Sequence, residues 1–216
     1  VNAFSNCAAL KKVILPDSVE KIEEGAFSRS KAIEELYVGK GTVSVGKEAF
    51  VGCSALATVT FADDCALKEI GEKAFSSCSG TVASGEESVP VGLVKIVLPE
   101  GLESIGNNCF TGSELLAYVS LPSTLNHLGA GAFYKTLLYE MQSKANDGFV
   151  YADKWLAAVT SDKLKEIKIV GTETLKNDTV GIADSVFYKA EVLEEVKLAP
   201  SVKYVGGYAF CNTPVS

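Results

Sequence analysis

Residues 10–27 read LKKVILPDSVEKIEEGAF, and residues 93–110 read LVKIVLPEGLESIGNNCF. Laid over one another, the two stretches share an initial Leu (Leu10, Leu93) and aliphatic residues three and five positions on (Val13 and Leu15, Ile96 and Leu98). A Pro follows (Pro16, Pro99), then a further aliphatic residue (Ile22, Ile105), and each stretch closes on a small apolar residue and a Phe (Ala26-Phe27, Cys109-Phe110). Working outward from these copies, eight of the ten phenylalanines fall into register: Phe4, Phe27, Phe50, Phe75, Phe110, Phe133, Phe187 and Phe210, at separations of 23, 23, 25, 35, 23, 54 and 23. A recurrent period in this range marks a chain built of stacked supersecondary units, each unable to bury its apolar face alone.

The columns of that alignment carry physical meaning. The residue before each Phe is Ala, Cys or Val, and the residue five before it runs Ile22, Val45, Ile70, Ile105, Leu128, Ile182 and Val205. The next position is Gly in five units (Gly46, Gly71, Gly106, Gly129, Gly206), which marks a bend where the backbone needs positive φ or close approach. Glu23 and Ala183 occupy the same column and argue against a strict positive φ. Upstream, Leu-x-x-aliphatic-x-aliphatic recurs from Leu10/Val13/Leu15 through Leu164/Ile167/Ile169 to Leu193/Val196/Leu198. Its last two positions alternate inward, as a half-buried strand requires, so each unit opens with a short strand.

This consensus resembles the BspA-like leucine-rich repeat family over nearly the whole chain. The fold expected is an α/β-type, strand-rich leucine-rich-repeat solenoid of about 23-residue units with a β-hairpin insert, forming a single domain over residues 1–216. The resemblance also implies a bacterial cell-surface or secreted setting and, in some members, adhesion to host proteins.

Three segments break the period. Ser79 to Gly92 is rich in Gly and Ser and reads as a flexible surface loop. Within residues 137–162, Asp147-Gly148 and Asp153-Lys154 supply turn chemistry around two apolar runs and predict a hairpin over 146–159. A six-residue excess around Gly171-Thr172-Glu173 predicts a longer turn. Both chain ends fall in mid-repeat without a polar capping unit, so the chain is expected to be a fragment whose exposed ends favour end-to-end association.

The inventory of reactive groups argues against an enzyme. There is one His (His127), one Trp (Trp155) and one Met (Met141), and the lone imidazole reads as a surface residue. Glycine-rich phosphate loops lack their strand–loop–helix context. Acid pairs such as Asp63-Asp64, Glu86-Glu87 and Glu194-Glu195 are sequence neighbours whose side chains diverge. Cys7, Cys53 and Cys78 share a column with Ser, Thr and Ala, which makes it a small packing slot. Cys109 likewise replaces Ala; these thiols are expected to be free and structural, and no C-x-x-C suggests zinc. No catalytic, metal-binding or cofactor-binding residue is therefore assigned, and no cofactor is expected.

With 20 Lys+Arg against 27 Asp+Glu, the net charge of −7 weighs against nucleic acid, and no apolar run is long enough to enter a membrane directly. The remaining candidate is the outward side of the strands, where residues vary while the inward columns hold. Tyr37, Tyr118, Lys12, Ile14, Glu35, Lys95 and Val97 form the expected protein-binding set, with Trp155 added from the hairpin insert. Aromatic residues carry much interface energy. The expected partner is a protein, such as a host extracellular-matrix or plasma protein, with glycan as a second ligand class. The competing reading is a passive spacer that displays another domain of a larger surface protein.

Overall fold

The computed structural model describes residues 1–85, 87–171 and 174–214. Glu86 of the Glu86-Glu87 pair, and Thr172-Glu173 at the third break, lie outside the described residues. Each regular turn contributes two strands to two parallel ladders. The longer strands Lys12–Ile14, Glu35–Val38 and Thr58–Phe61 form one sheet, in register Val13↔Leu36↔Val59. Lys95–Val97 pairs with Tyr118–Ser120, and Ile169–Val170 with Glu195–Val196. The shorter strands Lys21–Ile22, Ser44–Val45, Glu69–Ile70, Ser104–Ile105 and His127–Leu128 make a five-stranded ladder. Its inward column is the aliphatic one read from the sequence: Ile22↔Val45, Val45↔Ile70, Ile70↔Ile105 and Ile105↔Leu128.

The third side of each turn carries the Phe. Residues two before and two after all eight repeat phenylalanines have positive φ, for example Glu48 (56°) with Gly52 (71°) around Phe50, and Lys73 (55°) with Ser77 (57°) around Phe75. Holding a non-glycine residue in the left-handed region costs about 1–2 kcal/mol. That cost is offset because the double bend swings each ring inward. The rings from Phe4 to Phe133 stack with centroids 5.1–5.7 Å apart and planes within 8°. Backbone bonds lock the same side: Phe27 N–H donates to Ala49 O, Phe50 N–H to Ala74 O and Phe110 N–H to Ala132 O, each at 2.8 Å.

The glycine column works by close approach, not by positive φ. A Cβ on Gly106 would lie 2.6 Å from Glu72 N, and one on Gly206 would lie 2.5 Å from Asp184 N, distances no side chain tolerates without a backbone shift. Ala183 is accommodated because it follows the insertion, where its N–H binds Leu156 O at 2.9 Å instead of a regular turn.

The breaks resolve differently from their sequence reading. Ser79–Ser84 and Glu87–Gly92 pair as a six-rung antiparallel hairpin, Ser79↔Gly92 through Ser84↔Glu87, so this segment is a ribbon and not a flexible loop. Both of its faces are largely exposed, so no polar–apolar alternation was needed to specify it. After Phe133, Thr136 caps the helix Leu137–Ala145, accepting from Tyr139 N–H at 3.1 Å while donating to Phe133 O at 2.7 Å. The helix leads into the expected hairpin, Phe149–Ala152 with Trp155–Val159. That hairpin is part of the framework: its second strand pairs in parallel with Gly181–Ile182, which pairs with Tyr204–Val205. The Phe stack lapses across the insertion and resumes at Phe187–Phe210, 5.0 Å apart. One register reading is corrected here. Ile169 is 50% exposed and Val170 fully buried, because Val170 and not Ile167 pairs with Val196, and an odd-numbered slip turns a strand's faces over. Beside the third break, Thr174 N–H donates to Gly171 O at 3.1 Å and Leu175 is buried.

Two substitutions test this account by urea denaturation. Phe75→Ala, removing a fully buried ring from mid-stack, is expected to cost about 3–5 kcal/mol. Gly106→Ala, which adds only a methyl group against the next backbone, is expected to cost about 1–3 kcal/mol.

Candidate functional site

The longer strands point alternate residues outward, because successive side chains leave a strand on opposite faces. Leu36 and Val38 enter the core, leaving Glu35 and Tyr37 outside. Along the ladder the outward residues form two columns. One is Lys12↔Glu35↔Thr58 and the other is Ile14↔Tyr37↔Thr60; on the second pair, Lys95 faces Tyr118 and Val97 faces Ser120. Ile14 (62%), Val97 (52%), Tyr118 (49%) and Tyr37 (38%) are all solvent-exposed. Polar neighbours hold the columns in order. Lys12 Nζ lies 2.6 Å from Glu35 Oε2, and Lys95 Nζ sits 4.9 Å above the Tyr118 ring. Exposed pairs of this kind contribute about 0–1 kcal/mol; their effect is to orient side chains.

Lys12, Ile14, Glu35, Tyr37, Thr58 and Thr60 line one shallow depression. Tyr118 is not part of it: two intervening strands separate it from Tyr37, about 14 Å at ~4.8 Å per strand. The structure therefore gathers Lys12, Ile14, Glu35 and Tyr37 into one patch and Lys95, Val97 and Tyr118 into another on the same face. Trp155 belongs to neither. It is 3% exposed, stacked on Tyr204 at 5.7 Å and packed over Gly181, because the hairpin strand carrying it joins the ladder. The sequence offered no sign of that pairing.

Sequence reading also missed a polar relay. His127 Nδ1 lies 3.0 Å from Ser104 Oγ, and its Nε2 lies 3.0 Å from Asp184 Oδ2; Asp184 Oδ1 accepts from Gly207 N–H at 2.6 Å. The order Ser–His–Asp resembles a nucleophile–base–acid relay. Here it lies along the outer face of the short-strand ladder, where Ser104 and His127 are directly paired residues. It ties the turn before the insertion to the turn after it, together with Asp184 N–H donating to Leu128 O at 2.9 Å.

The sequence model of the BspA type leucine-rich repeat region matches residues 1–89 and 90–214, in six copies. The chain belongs to this family. No curated protein matches it. Among solved structures, this BspA-type chain is similar to the leucine-rich repeat protein of T. pallidum. The two are 23% identical with a TM-score of 0.52, over 91% of this chain and 72% of that one. It is also similar to a leucine-rich repeat protein of Eubacterium ventriosum (16% identity, TM-score 0.50, 93% of this chain and 51% of that one). The pneumococcal vaccine antigen PcpA is 21% identical, with a TM-score of 0.47 over 94% of this chain and 48% of that one. The chain thus spans about half the length of the last two. Identities this low speak to the fold alone. Among the described residues, no helix is long and apolar enough to cross a membrane.

The cysteines of these BspA-type turns follow the repeat logic. Three residues after the Phe, a side chain donates to the Phe carbonyl of the preceding turn: Ser30 Oγ to Phe4 O at 2.7 Å, Cys53 Sγ to Phe27 O at 3.2 Å, Cys78 Sγ to Phe50 O at 3.3 Å and Ser113 Oγ to Phe75 O at 2.8 Å. The slot is thus a small hydrogen-bond donor as well as a packing position. All six cysteines are free thiols. Burial pushes the Cys53 thiol up to about 12 and raises Cys65, Cys78 and Cys109 as well. A raised thiol pKa means negligible thiolate at pH 8, and the thiolate is the reactive form. A native-state titration with a chromogenic disulfide reagent at pH 8 is expected to modify only the part-exposed Cys7 and Cys211, with all six reacting in guanidinium.

Proposed function

We propose that this repeat module is a non-catalytic, adhesin-like protein-binding surface, and that its ligand is a host or partner protein held on the exposed face of the longer strands. The observation that carries the reading is the pair of apolar and aromatic patches there, Ile14 with Tyr37 and Val97 with Tyr118, on a framework whose inward columns are fully committed to the core. Large apolar side chains repeatedly placed in solvent mark interaction surfaces, and rigid aromatic residues supply contact area at low entropic cost. A cell-surface or secreted location is proposed from the family, whose members are often surface proteins. A passive spacer is the competing reading. It draws on the internal pairing of Lys12 with Glu35 and of Lys95 with Tyr118, which leaves those polar groups already partnered.

Biolayer interferometry of the chain against immobilised extracellular-matrix and plasma proteins separates the two. Saturable binding is expected, with each of Tyr37→Ala and Tyr118→Ala weakening it about tenfold. The two losses are expected to multiply in the double variant, because the residues share no contact. Silence across the panel from folded protein, or affinity unchanged in the double variant, would remove the strand face from consideration and leave the spacer.

A further inference from the structure

Between its long and its short strand every turn makes a corner, and the corners line up into a second surface that adjoins the strand face at Thr60 and Val97. Two clefts meet there at Glu100. One, of about 380 Å³, runs between the Phe61–Cys65 and Val97–Glu100 corners. The other, of about 620 Å³, continues past Leu121 and Ser123 to the Asp153–Lys154 hairpin turn, Asp178 and Lys203. The insertion creates the second cleft, since the hairpin turn forms one of its walls. Buried apolar side chains, among them Leu98, Leu125 and Trp155, form the floor.

The rim is acidic. Asp63, Asp64, Glu100, Asp153 and Asp178 are exposed. Among the described residues none of them joins an ion pair. Two of the five are held in place from below. Glu100 accepts from Ser123 N–H at 3.1 Å and from Ser123 Oγ at 2.9 Å, and Asp153 accepts from Leu121 N–H. Each carboxylate oxygen can take further donors, so these groups face solvent preorganised. Of the residues lining the two clefts, Lys154 and Lys203 stand against the five carboxylates, and five minus two leaves −3; Lys68 also comes close to Gly101, beside Glu100, where it pairs with Glu103. Both lining lysines lie at one end, beside the part-exposed Tyr204 ring that stacks on Trp155. Carboxylates on a rim with an aromatic face nearby are what ammonium and guanidinium groups bind. Five corner-to-corner steps at ~4.8 Å span about 24 Å, the length of an extended segment of about seven residues at ~3.3 Å each.

We infer that this corner groove docks an extended lysine- or arginine-rich segment of a partner protein, its basic side chains on the carboxylate rim and its apolar ones toward the floor. Surface charge complementarity of this kind sets association rate and specificity and weakens with salt.

The test uses the full chain and a fluorescein-labelled octapeptide of alternating Arg and Leu, with a Glu–Leu octapeptide as counter-probe, followed by anisotropy. Trp155, the sole Trp, provides an independent emission signal from inside the cleft. The Arg–Leu peptide is expected to bind saturably at 50 mM salt, at least tenfold more weakly at 300 mM, and at least tenfold more tightly than the Glu–Leu peptide. A corner variant, Asp64→Asn with Glu100→Gln and Asp178→Asn, is expected to lose tenfold or more. A control with the same charge change elsewhere, Glu20→Gln with Glu23→Gln and Glu24→Gln, is expected to stay within twofold. Tyr37→Ala with Tyr118→Ala is expected to leave this binding unchanged, which keeps the result separate from the strand face. Equal losses in the corner and control variants would show attraction to net charge alone, and no saturable binding of the Arg–Leu peptide would show an empty groove; either overturns the inference.

Discussion

Everything in this molecule follows from the need of each turn to lie directly on the next. Parallel strands sit about 4.8 Å apart, and the Phe rings follow at 5.0–5.7 Å with nearly parallel planes. Where one regular turn follows another at that spacing, a Cβ at the bend would meet the neighbouring backbone, so Gly recurs at 46, 71, 106, 129 and 206. The same constraint decides the slot after the Phe, where a side chain must be small and is best able to donate to the carbonyl of the turn before. Ser30, Cys53, Cys78 and Ser113 satisfy both demands, and burial raises the pKa of the two thiols.

The insertion shows how such a stack survives interruption. After Phe133 the ring column lapses, and the molecule replaces it with other pairings. A capped helix fills the gap, a hairpin strand enters the short-strand ladder beside Gly181–Ile182, and His127 bridges Ser104 to Asp184. On the short-strand side of the insertion, Trp155 stacks on Tyr204 across Gly181. The only imidazole and the only indole of the chain are thus both spent on the seam between regular segments, which accounts for their presence in a sequence otherwise made of repeated residues.

Function, in a structure of this kind, is left to whatever the stack does not consume. Inward columns are dictated by packing, and the Phe side by its paired left-handed bends. What remains free is the outward side of the longer strands and the rim of the corners. These two surfaces differ in character: the strand face offers exposed Ile14, Tyr37, Val97 and Tyr118, whereas the corner offers fixed carboxylates above an apolar floor. They also lie on adjacent sides of the same turns, so a single extended partner is able to touch both.

How much of this was legible beforehand depends on whether a residue's role repeats. Period, strands, core columns, the Phe stack and the hairpin at Phe149–Val159 were all written in the sequence, because stacking imposes the same side chain on every turn. The ribbon at 79–92 was not, since a hairpin exposed on both faces needs no pattern of polarity. Nor was the slip at Ile169–Val170, which is set by pairing with Glu195–Val196. For the longer strands of the regular turns, the sequence by itself determined which residues point outward. Only the tertiary structure decided that Tyr37 and Tyr118 stand in separate patches, that Trp155 is buried, and that Asp63, Glu100, Asp153 and Asp178 share one groove. The reason is physical: outwardness is a local property of strand alternation, whereas adjacency across turns depends on where the insertions place the chain.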